Sequence, residues 1–234
     1  MLDFNHEVWN FDEKNFRKIG DIKLVTAKKQ DILEELHFRL VTQLKTRIFF
    51  LNAHCYNAAR KNPGYLRNLN AAEFILNDGI GIELGARAFS NSRKESLNGI
   101  NFTPDVLKIL NQEKMSLYLL GGNPGVAEKA GVKIMSEFPD IILSGSCNGF
   151  FTDPIEVLKD INQVKPDLLL VGMGVPAQES WISHYFDELD VTLIMAVGAY
   201  FDVASSDKTR SPVLNNKIQR VAEKVKWKLG TEKI

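Results

Sequence analysis

The sequence predicts the α/β class: a doubly wound, mostly parallel sheet with helices on both faces and a short basic helix at the C-terminal end. Three observations carry this. First, the runs "SLYLLGG" (116–122), "PDLLLVGMG" (166–174) and "VTLIMAVGAYF" (191–201) are continuously apolar. They lack the alternation of a half-exposed strand, so they belong in a sheet covered on both sides. Second, such runs alternate with stretches of helical period from residue 100 onward, the pattern of strand–helix–strand units. Third, glycine turns end the apolar runs, and Asn-Pro or Asp-Pro pairs open the segments behind them.

Taken in order, "DIKLVT" (21–26) reads as a short strand, and 28–45 as a helix with Ile32, Leu33, Leu36, Leu40 and Leu44 on one face. "RIFFLNAH" (47–54) reads as a strand, "CYNAARKNPGYLRNL" (55–69) as helix or loop, and "AEFILND" (72–78) as a strand running into a glycine turn. "FTPDVLKILNQ" (102–112) predicts a helix with Thr103 as N-cap and Pro104 in its first turn. After the strand at 116–122, "NPGVAEKAGVKIMSEF" (123–138) predicts a helix capped by Asn123. "IILSGSCNGFF" (141–151) is a strand and "TDPIEVLKDINQV" (152–164) a helix capped by Asp153. The strand at 166–174, the helix "VPAQESWISHYFDEL" (175–189) and the strand from 191 complete the set. We expect one α/β domain over 1–207, less regular up to residue 100 and Rossmann-like from 101, followed by a basic helical appendage at 208–234.

Composition narrows the function. Lys+Arg and Asp+Glu both number 29, and a neutral chain does not suit generic nucleic-acid binding. Cys55 and Cys147 are far apart, which fits a reducing compartment and makes neither a disulfide framework nor a thiolate metal site. The four histidines have no ligand spacing and no Asp-x-Asp occurs, so no metal site is expected. The N-terminus is not a signal peptide, and the run at 191–201 is too short to cross a bilayer. The expected location is cytoplasmic, with peripheral contact to the inner membrane face. That contact would come from Lys208–Ile234, which holds eight Lys/Arg against two Glu with apolar residues at helical spacing. A docked terminal helix with a solvated basic face is the competing reading.

Ligands of open α/β sheets bind beyond the carboxyl ends of the strands. Those ends carry Asn52, Asp78-Gly79, Gly121-Gly122-Asn123, Gly149, Gly172-x-Gly174, and Gly198 with Asp202. Structural punctuation and a ligand pocket both explain the set. A dinucleotide cradle fits poorly: Gly79, Gly81 and Gly85 are off the fingerprint spacing, and Asp105, the nearest acid, suits a helix N-terminus. "LLGGNPGVAEKA" (119–130) is either an anion site or a tight turn. Pro176 starts a helix whose first turn holds Gln178 and Glu179. Facing the rim, they suit a hydroxyl-rich ligand; an ordinary solvated first turn is the competing reading. Asp78 is either a proton acceptor or a side-chain cap of its turn.

Several segments resemble one family. "NDGIGIELGAR" (77–87), "LNGINF" (97–102), "GSCNGFF" (145–151), "PDLLLVGMGVPAQESWI" and "AVGAYFDVASSDKTRSP" are similar to the WecG/TagA/CpsF glycosyltransferases, in order from about Phe50 to Pro212. The resemblance implies transfer of an N-acetylmannosamine-type or related hexose from a UDP-sugar to a polyprenyl-diphosphate-linked acceptor, in cell-wall or surface polysaccharide synthesis. It implies inversion at the anomeric carbon, with neither metal nor other cofactor. Asp78 falls on the family's proposed base, Asn52 on its upstream asparagine, and Pro176, Gln178 and Glu179 on its Pro-x-Gln-Glu. Asn98 and Gly99 fall in its R-x-x-G-x-D element, where this chain carries Ser96 for the Arg and Asn101 for the Asp; Phe50 replaces a usual hydroxyl residue. The diphosphate is expected near Gly121–Gly125, with Arg210 as the cation that takes a metal's place. A degenerate nucleotide-sugar binder and, further off, an NAD-dependent oxidoreductase are the alternatives, and homo-oligomerisation is left open.

Overall fold

A computed structural model describes residues 15–79 and 97–206. A small antiparallel hairpin of β1 (Phe16–Ile19) and β2 (Ile22–Val25) precedes helix α1 (Lys29–Val41). Then follow β3 (Thr46–Leu51), α2 (Ala53–Lys61), α3 (Pro63–Asn70), β4 (Phe74–Asn77), α4 (Gly99–Glu113) and β5 (Ser116–Gly121). The chain continues through α5 (Val126–Glu137), β6 (Ile142–Cys147), α6 (Pro154–Val164), β7 (Leu168–Gly172), α7 (Ala177–Tyr185), β8 (Leu193–Ala196) and α8 (Tyr200–Ala204). β3 to β8 form one six-stranded sheet in the order β4-β3-β8-β7-β5-β6, and every pairing in it is parallel.

Alternate residues of each strand serve two cores. On one face Leu117, Leu119, Leu170 and Met195 meet Leu36 of α1, Leu107 of α4, Ala127 of α5 and Phe201 of α8. On the other, Tyr118, Leu120, Val171 and Ile194 meet Cys55 of α2, Leu69 of α3, Leu158 of α6 and Ile182 of α7. Burial on both faces explains why these strands read as unbroken apolar runs. The crossovers sort by direction: α4 and α5 carry the chain toward β6 on one face, while α2/α3, α6 and α7 carry it toward β4 on the other. This is the pattern that a single crossover hand requires.

Some local expectations are corrected. Thr103 caps nothing: α4 starts one turn earlier, because Asn98 accepts a hydrogen bond from the Asn101 N–H. Thr103 instead donates its hydroxyl to the Gly99 carbonyl at 2.6 Å, and Pro104 sits inside the helix. Asn123 does not cap α5 with its side chain; Gly125, at φ +83°, turns the chain into the helix, and the Asn123 carbonyl accepts from the Val126 N–H. Residues 55–69 are divided between two helices at Asn62, which ends α2 and caps α3 through the Tyr65 N–H. Asp153 does cap α6, accepting from the N–H groups of Ile155 and Glu156. The appendage at 208–234 lies outside the described residues, as do Gly81, Gly85, Ser96 and Arg210.

Candidate active site

In an all-parallel sheet every carboxyl end lies on one edge, so the turns singled out in the sequence come together. In sheet order they are Asp78 after β4, Asn52 after β3, Gly198 after β8, Gly172–Gly174 at β7, Gly121–Gly122 at β5 and Gly149 after β6. The chain leaving β5 turns toward β6, whereas the chain leaving β7 turns toward β8. Such a divergence between neighbouring strands opens a crevice at the edge.

The glycines of that edge serve close packing first. A Cβ on Gly121, at φ +139°, would stand 2.3 Å from the Gly172 carbonyl oxygen, and one on Gly172 would stand 2.8 Å from that of Gly198. The Gly122 N–H donates to the Gly172 carbonyl and the Gly149 N–H to that of Gly122, both at 2.9 Å. Those two amides are thus occupied within the protein.

At the other end of the edge, one asparagine organises a carboxylate. Asn52 Oδ1 accepts from the backbone N–H groups of His54 and Cys55, each at 3.0 Å, capping α2. Because the oxygen is taken by two donors, the amide nitrogen faces the other way and donates to Asp78 Oδ2 at 3.2 Å. The Asp78 N–H is itself tied to the Leu51 carbonyl. Asp78 is therefore fixed through main chain and side chain beside the positive end of α2, where negative charge is favoured. A Cβ on Gly79, at φ +108°, would meet no atom of the described residues within 4 Å. Asn98 is buried as the α4 cap, and a Cβ on Gly99 would touch the Phe50 ring and the Val197 carbonyl. The start of α4 thus abuts the middle of the edge.

Gln178 and Glu179 differ from their expected position. They are 3% and 0% exposed, so they form the underside of the edge rather than its rim. Gln178 Oε1 accepts from the N–H groups of Gly174 and Gly198, both at 3.2 Å, and Nε2 donates to Glu179 Oε1 at 2.8 Å. Burial pushes the Glu179 carboxyl up to about 7, against the opposing pull of the Gln178 hydrogen bond. Pro176, which follows a cis peptide bond, and Asp202 of α8 are exposed.

One residue escaped the sequence reading. Phe150, directly after Gly149, is 69% exposed at the rim. Its signal was an aromatic pair, "FF", in a strand-end turn where polar residues are usual. A cavity of about 560 Å³ opens at the opposite edge, where Lys45 binds main-chain carbonyls and Lys165 pairs with Asp190. Among the described residues, no group of three or more His, Cys, Asp or Glu is placed to hold a metal ion. No helix among them is long and apolar enough to cross a membrane.

Compared with known proteins, residues 17–220 match the model of the "Glycosyl transferase WecG/TagA/CpsF family". This chain belongs to that family. It is 29% identical over 195 residues to the N-acetylglucosaminyldiphosphoundecaprenol N-acetyl-beta-D-mannosaminyltransferase of Bacillus subtilis (strain 168), spanning 83% of this chain and 76% of that protein. It is 27% identical over 189 residues to the protein of the same name from Staphylococcus aureus (strain NCTC 8325 / PS 47), spanning 80% and 74%.

A WecG/TagA/CpsF glycosyl transferase needs a proton acceptor and a leaving-group site close together, which tests the expected layout. β4 and β5 are four strand intervals apart in the sheet, or about 19 Å at the usual interstrand spacing. The sugar carbon attacked is one oxygen away from the leaving phosphate. That separation favours a diphosphate seated nearer to Asp78 than Gly121–Gly125.

Proposed function

We propose that this chain transfers an N-acetylmannosamine-type sugar from a UDP-sugar to the N-acetylglucosamine of a polyprenyl-diphosphate-linked acceptor, inverting the anomeric centre without a metal ion. The single observation that carries the chemistry is Asp78 held by Asn52 at 3.2 Å on the catalytic edge. The names of the Bacillus and Staphylococcus relatives support the choice of sugar and acceptor. Their β-linked product, set against the α-linkage of ordinary UDP-hexosamine donors, supports inversion.

In this reading the donor lies along the edge. Uridine occupies the β5–β6 end with its base against Phe150, the diphosphate spans the turns of Gly174 and Gly198, and the sugar reaches toward Asp78. The acceptor hydroxyl attacks C1 as Asp78 takes its proton. The new C1–O bond forms on one face while the bond to the β-phosphate oxygen breaks on the other, and UDP leaves with the electron pair. The cation Arg210 is assigned to the departing charge. Of the sequence-derived ligand residues, Asn52, Asn98, Gly99, Asn123, Pro176 and Asp202 stay with the binding edge. The catalytic domain is taken to end near residue 207. The basic stretch 208–234 then meets the anionic inner leaflet that carries the acceptor, each basic residue adding about 1 kcal/mol there.

The test incubates purified protein with a panel of UDP-sugars and a short-chain lipid-diphosphate-GlcNAc acceptor, with and without chelator. A β-linked disaccharide lipid is expected in both arms. Product only with added metal removes the proposed mechanism, and UDP binding without transfer from any donor leaves a binding protein instead.

A further inference from the structure

Gln178 and Glu179 open α7 directly beneath the proposed nucleotide-sugar track, yet neither side chain is open to it. The Gln178 amide has only one orientation that its surroundings accept. Two main-chain donors, Gly174 N–H and Gly198 N–H, face its oxygen, so its nitrogen must face Glu179 Oε1. The two glycines belong to different turns, one after β7 and one after β8, on neighbouring strands. Both have positive φ, and a Cβ at either would meet nothing within 4 Å. Among the described residues, the outer side of each turn thus looks into open space while its N–H is gripped from beneath.

Glu179 is an expensive way to fill its site. Among the described residues its Oε2 is buried without a hydrogen-bond partner, and leaving such an oxygen unpaired is unfavourable. The titratable groups facing it are the Cys55 thiol on α2 and the Tyr65 phenol on α3, both pushed up by burial first and by Glu179 among the further causes. Among the described residues no cation acts on its carboxyl, whose upward displacement burial dominates. A leucine would avoid the cost, so the return on the carboxyl lies elsewhere, in the orientation that Oε1 imposes on Gln178.

We propose that Glu179 is a positioning residue: it orients the Gln178 amide, and this amide clamps the turns after β7 and β8 at a fixed separation below the diphosphate. Neither side chain touches the donor. The kinetic consequences rest on the glycosyl-transfer reading; the clamp itself does not.

The experiment compares Glu179→Leu, Glu179→Gln and Gln178→Leu with the parent chain. It reads hydrogen exchange of the Gly174 and Gly198 amides by NMR, together with donor KM and kcat. Glu179→Leu is expected to speed exchange at both glycines about tenfold, although residue 179 touches neither, and to raise donor KM more than it lowers kcat. Glu179→Gln, whose side-chain oxygen still accepts from Gln178, is expected to recover most of both effects. Gln178→Leu reports on the same amides should Glu179→Leu not fold. Unchanged exchange at Gly174 and Gly198 in Glu179→Leu overturns the clamp. So does Glu179→Gln behaving like Glu179→Leu in the kinetics, which would mean that the carboxylate charge meets the ligand. If the chain binds no UDP-sugar, the functional reading falls alone, and the exchange rates still decide on the clamp.

Discussion

Asn52 holds Asp78 and the start of α2 with a single amide: nitrogen to the carboxylate at 3.2 Å, oxygen to the His54 and Cys55 N–H groups. The two functions can be separated. Asn52→Asp keeps an acceptor for the cap but sets a second carboxylate against Asp78. Stability is expected to stay near the parent, while turnover falls at least tenfold. Asn52→Ala loses both, with a stability cost of about 1 kcal/mol from the missing cap. Asp78→Asn should leave folding and UDP binding intact and cut kcat by about 10² or more. Melting curves beside steady-state kinetics check all three, and near-normal turnover in Asp78→Asn removes it from the mechanism.

Phe150 offers an exposed ring after β6, where the proposed donor pose puts the uracil base. Base stacking on an aromatic side chain is worth about 1–3 kcal/mol. Phe150→Ala is therefore expected to weaken UDP binding by tenfold or more in calorimetry. The melting temperature should barely move, because the ring is mostly solvated already. Equal UDP affinity in the variant would place the base elsewhere.

The glycines rank by surroundings rather than by motif. Gly121→Ala drives a methyl into the Gly172 carbonyl at 2.3 Å, so neighbouring strand ends must part. Loss of several kcal/mol is expected, of the order seen for severe core overpacking. Gly125→Ala meets open space and carries only the cost of φ +83°, about 1 kcal/mol. Denaturant titration of the two variants tests the order; a reversed ranking would refute the close-packing account.

Glu179 gives stability a pH dependence of known sign. Its folded value near 7 lies above the ordinary 4.5, so between these values the native chain binds more protons than the unfolded one. Stability from this group therefore falls as pH rises through that window, by about 3 kcal/mol in total. Glu179→Gln removes the ionisation. Unfolding free energies at pH 5 and pH 8 should differ less in the variant than in the parent.

Much of this was readable in the chain. Unbroken apolar runs such as 116–122 and 166–174 announce strands buried on both faces, and Asp78 and Asn52 stand at the ends of such runs. Gln178 and Glu179 were misread because a glutamate in a first helical turn is usually solvated; its burial comes from α2 and α3, more than a hundred residues away in sequence. Thr103 and Asn123 followed the local rule for caps, but Asn98 and Gly125 set the real helix starts. The order of strands was not legible at all. Nothing near residue 193 says that it will sit beside residue 46.

That order has a consequence for how the chain comes off the ribosome. β3 and β4 share no ladder with β5, β6 and β7 except through β8. Until residues 193–196 emerge, the nascent polypeptide can make two separate ribbons but not one sheet. Asp78 stands on one ribbon and the Gly121–Gly172 contact on the other, so β8, late in the chain, is the wedge that joins them into one edge.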